Sequence, residues 1–241
     1  RSQEIGNVAD LAQQLHQSGI DYININGAAS GSVTITDLQA QELVTAGLAF
    51  SSGGGVVTDP TTHDHVNLAI DGTQAAGTHL STSLKDLQKL GVDTVLVTGA
   101  TEQNPVGLTV DFGSVSDGQG LNAVGLPLFG DVNHDGQLSD AENQALNVTL
   151  NIAGDANTIA QEIGNVADLA QQLHNSGIDY ININGAASGT VNINQTQAQE
   201  LVAAGLAFSS GGGVLTDPTT HDHVNLAIDG TQAAGTHLST S

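Results

Sequence analysis

Residues 84–97 read LKDLQKLGVDTVLV, and their order of signals decides the fold. Ser83, with Asp86 three residues on, marks a helix start, because a side-chain oxygen there can take an otherwise unpaired amide of the first turn. Gly91 marks its end, since glycine enters the left-handed conformation that closes a helix. The segment VDTVLV then favours a strand through its β-branched residues. The same order appears twice upstream. Asn7 to Ser18 places Val8, Leu11, Ala12 and Leu15 on one helical face, and Gly19 and the strand-like IDYININ (20–26) follow. SVTIT (32–36) leads through a Thr36/Gln39 capping box into the helix DLQAQELVTA (37–46), then Gly47 and Leu48-Ala49-Phe50. The shared core is Leu-x-x-x-Gly-apolar, at Leu15/Gly19, Leu43/Gly47 and Leu87/Gly91. Helices alternating with strands predict an α/β fold, βαβ units on a partly parallel sheet with right-handed crossovers. An α+β module or an α/β solenoid are the alternatives.

Between these units the sequence predicts loops at SSGGG (51–55) and DPTTHDH (59–65), then a strand at VNLAID (66–71). Residues 113–130 lack periodicity; a short helix from about residue 139 and a strand NVTLNI (147–152) follow.

The chain also repeats itself. Residues 3–83 return at 161–241 without gaps, at a constant offset of 158 and with eight substitutions. Residues 1–158 therefore make one period, of open phase, and 159–241 part of a second. Arg1-Ser2 stand where the second copy is preceded by Ile159-Ala160. Thr34 and Thr36 become Asn192 and Asn194, while Val33 and Ile35 persist as Val191 and Ile193. Alternate residues of a strand face opposite sides, so this is a sheet with one packed face. Gln195 and Thr196 replace Asp37 and Leu38, which predicts a weaker helix start in the second copy. No low-complexity linker separates the copies, so the repeats are expected to touch stiffly rather than hang as beads. Long tandem units extend reach without new chemistry.

Composition narrows the function. There are 25 acidic residues against three basic ones, Arg1, Lys85 and Lys89, for a net charge of −22. No basic footprint exists for nucleic acid or anionic membrane. Such a surface repels itself unless cations bind or screen it. Cys, Met and Trp are absent, so no disulfide framework exists and the core must come from Val, Ile, Leu and Ala. No apolar run of membrane-spanning length occurs, and no signal peptide is expected.

One motif carries strong chemistry. Asp131-Val132-Asn133-His134-Asp135-Gly136-Gln137-Leu138-Ser139-Asp140-Ala141-Glu142 matches D-x-[DN]-x-[DN]-G-x5-E. Ca2+ is a hard cation that takes about six to eight oxygens. Asp131, Asn133 and Asp135 offer side-chain oxygens, Gln137 a backbone carbonyl, Ser139 a direct or water-mediated contact, and Glu142 two carboxylate oxygens; Gly136 permits the sharp turn. The loop resembles the EF-hand loop and, more closely, the dockerin-type loop. The preceding GLNAVGLPLFG carries three glycines and a proline, so no entering helix is expected, and no second loop lies nearby to pair with. That pattern points to a structural ion rather than a sensor.

Other signals are weaker. His63-Asp64-His65 and its copy His221-Asp222-His223 have zinc-like spacing but sit in a polar, Thr-rich loop that solvation explains as well. His16 and His174 are expected on solvent-facing helix surfaces. Catalysis is not expected: no cysteine nucleophile, G-x-S-x-G elbow, H-E-x-x-H or Walker loop is present, and Ser51-Ser52-Gly53-Gly54-Gly55 lacks the lysine of a phosphate cradle.

An acidic, Cys-free, tandem chain with a calcium loop and helix-Gly-strand units resembles the repeat region of large bacterial surface adhesins, the RTX or biofilm-associated type exported by type I secretion. The terminal nonapeptide G-G-x-G-x-D-x repeats of that family are absent. The resemblance implies an extracellular, cell-surface stalk stiffened by calcium. Its partners would be neighbouring repeats, with surface glycan reached through other domains. A module that itself binds carbohydrate or another surface ligand is the alternative.

Overall fold

A computed structural model describes residues 2–25, 32–51, 65–72, 78–113, 120–185, 190–208 and 223–227. The chain is α/β, as the helix-Gly-strand order predicts, and every ladder between its described strands is parallel. The first copy runs α1 (Ser2–Asp10), α2 (Ala12–Gln17), β1 (Tyr22–Asn24), β2 (Ser32–Thr36), α3 (Asp37–Ala46), β3 (Ala49–Ser51), β4 (His65–Asp71) and β5 (Thr78–Leu80). Then come α4 (Leu84–Leu90), β6 (Thr94–Thr98), β7 (Val106–Asp111), β8 (Leu128–Phe129), α5 (Asp140–Ala145) and β9 (Leu146–Gly154). The second copy supplies α6 (Ala156–Asp168), α7 (Ala170–Asn175), β10 (Ile178–Gly185), β11 (Thr190–Asn194), α8 (Gln195–Ala204), β12 (Ala207–Phe208) and β13 (His223–Ala227).

One sheet is ordered β2-β4-β6-β8 and another β12-β10-β9-β7-β5. In both, spatial order follows chain order. From β4 to β9 the chain lays strands in the two sheets alternately, so it advances as a coil, the solenoid form of the α/β prediction. Shorter pairs, β1-β3 and β11-β13, complete the described ladders. The registers Tyr22↔Ala49 and Tyr180↔Ala207 show that equivalent strands pair alike in both copies.

Local signals act as their chemistry requires. Thr36 accepts from the Gln39 amide at 3.3 Å, and Gln39 Oε1 accepts from the Thr36 amide at 3.0 Å. At the other end of α3, Gly47 has φ 82°, and the Leu48 amide reaches back to the Leu43 carbonyl at 2.9 Å. This six-to-one bond is the Schellman stop, and it turns the chain into β3. Leu43, Leu87 and Leu173, four residues before their glycines, are fully buried. They join Ile35, Leu68, Val95, Leu108 and Leu150 in one apolar core.

Three expectations need correction. The helix read over 7–18 starts at Ser2 and breaks at Leu11 (φ −105°, ψ 5°), where the Leu11 amide bonds the Val8 carbonyl in a tighter turn. The break recurs at Leu169 (φ −109°). The helix expected to be weak in the second copy is as long as its counterpart. Asn194 replaces Thr36 as cap and forms its own box with Gln197, at 2.9 Å in both directions. Asparagine caps at least as well as threonine, which offsets the lost Asp37. His174 is half-buried rather than solvent-facing, and its Nδ1 has no hydrogen-bond partner, whereas His16 is exposed and pairs with Asp21 at 3.2 Å.

A second sequence signal emerges only with the sheets in view. Gly-Ile-Asp (19–21, 177–179) and Gly-Val-Asp (91–93) end in an aspartate. The Val66 amide donates to Asp93 Oδ2 at 2.8 Å, and the Val148 amide to Asp179 Oδ2 at 2.9 Å. The β9–β10 register slips at Asp179, and its carboxylate takes the amide exposed by the slip. Burial pushes the Asp179 carboxyl up, against the Val148 bond and the charge of His174.

Side chains also join the strands of the larger sheet. Asn151 Nδ2 donates to Asp111 Oδ1 at 2.6 Å, Asn182 Nδ2 donates to Asn151 Oδ1 at 3.0 Å, and His79 Nε2 lies 3.2 Å from Asp111 Oδ2. Asn151 is buried, so truncating it strands both neighbours. Asn151→Ala should lower unfolding free energy by about 1–3 kcal/mol. Asn24→Ala, at the exposed first-copy equivalent of Asn182, should change it by less than about 0.5 kcal/mol. Urea midpoints of the two variants against the parent chain check this pair.

Candidate metal centre

The calcium-like loop is hung from a sheet edge. β8 pairs with β6, and beyond it the Gly130 amide still donates to the Val95 carbonyl at 2.9 Å, which sets Asp131 against the sheet. The short strand β8 rather than a helix enters the loop, and α5 leaves it.

Within the loop, side-chain oxygens curl round backbone amides. Asp131 Oδ2 accepts from Gly136 at 3.1 Å, Asn133 Oδ1 from Asp135 at 2.8 Å, and Asp135 Oδ1 from Gln137 at 2.9 Å. Two left-handed residues make this turn, Gly136 at φ 80° and His134 at φ 58°. Asp131, Asn133, Asp135 and the Gln137 amide are therefore drawn into one turn.

Glu142 reaches the same loop differently. Its Oε1 accepts from the Val132 amide at 2.9 Å and the Asn133 amide at 3.4 Å. Its Oε2 accepts from the Ser139 amide at 2.9 Å and from Ser139 Oγ at 2.7 Å. Ser139 in turn accepts from the Glu142 amide, so the pair forms the capping box of α5. Partial burial pushes the Glu142 carboxyl up, but the bonds from Ser139, Val132 and Asn133 outweigh it and hold the carboxyl below the usual glutamate range. Both oxygens already have donors, so a cation can take Glu142 only by sharing or displacing them. Among the described residues no three His, Cys, Asp or Glu side chains are gathered as a metal cluster.

Asp131 is the exception to this satisfied network. It is 2 % exposed, and its Oδ1 has no hydrogen-bond partner. A buried carboxylate oxygen without a partner is costly unless a cation or donor meets it. The donor set around it, carboxylate, amide and carbonyl oxygens, is the hard set that suits Ca2+.

The loop also touches the first copy. The His134 ring stacks on His65 of β4, with centroids 5.8 Å apart, and His134 Nε2 lies 3.4 Å from Asn67 Nδ2. His63, Asp64, His221 and Asp222 lie outside the described residues, as does the glycine run 53–55; His65 lies against His134, and His223 opens β13. Behind the loop, Gly136, Gln137 and Leu138 face Gln172, His174 and Ser176 across a cleft of about 620 Å³ whose lining has no Phe, Tyr or Trp.

A second unusual carboxylate lies apart from the loop. Glu162 on α6 is 1 % exposed, and its Oε2 has no hydrogen-bond partner. Burial pushes its carboxyl up to about 7, against the positive charge of Lys85. Its first-copy equivalent, Glu4, is exposed. Nothing in the sequence distinguishes the two.

Comparison of the chain with protein-family models, with curated proteins and with solved structures finds no match.

Because Glu162 holds its proton more tightly folded than unfolded, it favours the fold below the unfolded value of 4.5, and that advantage disappears as pH rises to about 7. Glu162→Gln should therefore melt close to the parent at pH 4 and above it at pH 8. Thermal melts of both chains across this range check the sign. Parallel curves would show that Glu162 titrates normally.

Proposed function

We propose that this chain is a calcium-stabilised structural repeat of a bacterial cell-surface adhesin, projecting a binding domain away from the cell. The observation that carries the calcium part is the unpartnered Oδ1 of Asp131, buried at the first position of a complete twelve-residue calcium pattern. Asp131, Asn133, Asp135, Ser139 and Glu142 would hold the ion with the Gln137 carbonyl. The ion would neutralise a buried anion and tie β8 to α5.

Three features support the extender part. The repeat is long and near-identical, which suits reach rather than new chemistry. The β9–β10 ladder crosses from the first period into the second, so main-chain hydrogen bonds rather than a loose linker join them. The net charge of −22 suits a cation-rich exterior. The rival reading, a carbohydrate-binding module, has the cleft behind the loop in its favour and the lack of an aromatic platform there against it.

Calcium at about a hundred times its dissociation constant would stabilise the fold by about 2.7 kcal/mol. The melting temperature should rise with calcium and fall with chelator. Asp131→Asn makes the test sharper, because it keeps an acceptor for Gly136 and removes the unpaired charge. It should melt at or above the parent in chelator and below it in calcium. Glu142→Ala should melt lower in both, since Glu142 holds the loop even without an ion. Identical melting of the parent chain with and without calcium would sink the reading.

A further inference from the structure

The two copies give one sequence two environments. Residues 3–16 and 18–31 are identical to 161–174 and 176–189. In the second copy this surface is covered. Ile178 is 0 % exposed and Ser176 2 %, whereas in the first copy Ile20 is 43 % exposed and Ser18 is open. Tyr180 is 40 % exposed and Tyr22 69 %.

The cover comes from the segment just before the second copy. The Phe129 amide donates to the Ser176 carbonyl at 2.9 Å, and β9 pairs with β10 from Val148 to Gly154. The calcium-like loop presses against the same place. A Cβ on Gly177 would lie 2.9 Å from Leu138 Cδ1 and 3.1 Å from the Phe129 carbonyl oxygen, a tight contact at a left-handed residue of φ 96° that suits glycine. At Gly19 nothing lies within 4 Å of that position. β1 pairs with β3 and has no second neighbour among the described residues, so one edge of a parallel strand stands beside exposed Leu11, Ile20 and Tyr22.

We propose that this face, Leu11, Ser18–Tyr22 and the free edge of β1, is a docking surface for a unit with the sequence of residues 128–154, supplied by a further period of the same repeat on the N-terminal side. The occupant is specified by the molecule itself, because identical residues at 176–180 already bind that unit through a strand, a glycine contact and an aspartate-to-amide bond. Asp21 would take the amide that Val148 offers to Asp179, and Ile20 would lose its exposure as Ile178 has. The surface is therefore a specific joint that stacks period on period, and it stands whether or not the loop binds calcium.

The test is a chain extended at its N-terminus by a copy of residues 84–160 in place of Arg1-Ser2. Amide hydrogen exchange reads the joint directly, because Gln17 and Asn175 give the two equivalent peptides different masses. In the original chain the peptide over 17–25 should exchange faster than that over 175–183. In the extended chain 17–25 should slow by about tenfold or more, approaching its partner. The extended chain should also melt in one transition, at or above the original midpoint. Unchanged exchange of 17–25, or a separate earlier melting of the added segment, overturns the proposal. Ile20→Lys supplies a second reading: it should leave the melting of the original chain nearly unchanged and lower that of the extended chain, and equal effects in both would count against the joint.

Discussion

Two parallel strands cannot be joined by a tight turn; the chain must travel back to the starting end of the sheet before it can pair again. Every ladder among the described residues is parallel, so each of these strands depends on a return path. Helices supply several of those paths, and each helix must stop in a defined place and direction. The Leu-x-x-x-Gly stop does this. The leucine anchors the last turn in the core, and the glycine lets the next residue bond back to it, as Leu48 does to Leu43.

The same constraint explains the aspartates. A parallel ladder that starts irregularly leaves an amide exposed at the strand end. Asp93 and Asp179 take these amides, and Asp179 does so at a register slip. The metal-like loop uses the same economy of acceptors. Its side-chain oxygens are largely assigned to backbone amides, which makes the one buried carboxylate oxygen of the loop without a partner, Asp131 Oδ1, informative. Since Asp131 follows β8 directly, a charge bound there acts on the sheet edge as well as the loop.

Much of this was legible from residue order. The bounds of α3 and its Thr36–Gln39 box follow from capping chemistry, and the buried Val33 and Ile35 follow from what the copies conserve and exchange. The absence of an entering helix before Asp131 followed from its glycines and proline. The break at Leu11 and the strength of α8 did not, because apolar spacing does not mark where a helix tightens into a turn, and Asn194 serves as a cap in place of Thr36. The turning of Glu142 toward Val132, Asn133 and Ser139 was also out of reach, since a consensus of ligand types cannot say which donors compete for them.

Residues 3–16 and 161–174 are letter for letter the same, and this makes the division plain. Local sequence determined what both copies share: the helix pair with its break and the glycine stop, because these depend on bonds among near neighbours. Tertiary structure alone decided what differs. Glu4 stays exposed while Glu162 is buried, and Ile20 faces outward while Ile178 is enclosed. Burial is set by which distant segment lies against a residue: Lys85 acts on Glu162, and Phe129, Leu138 and β9 lie against the turn and strand that carry Ile178.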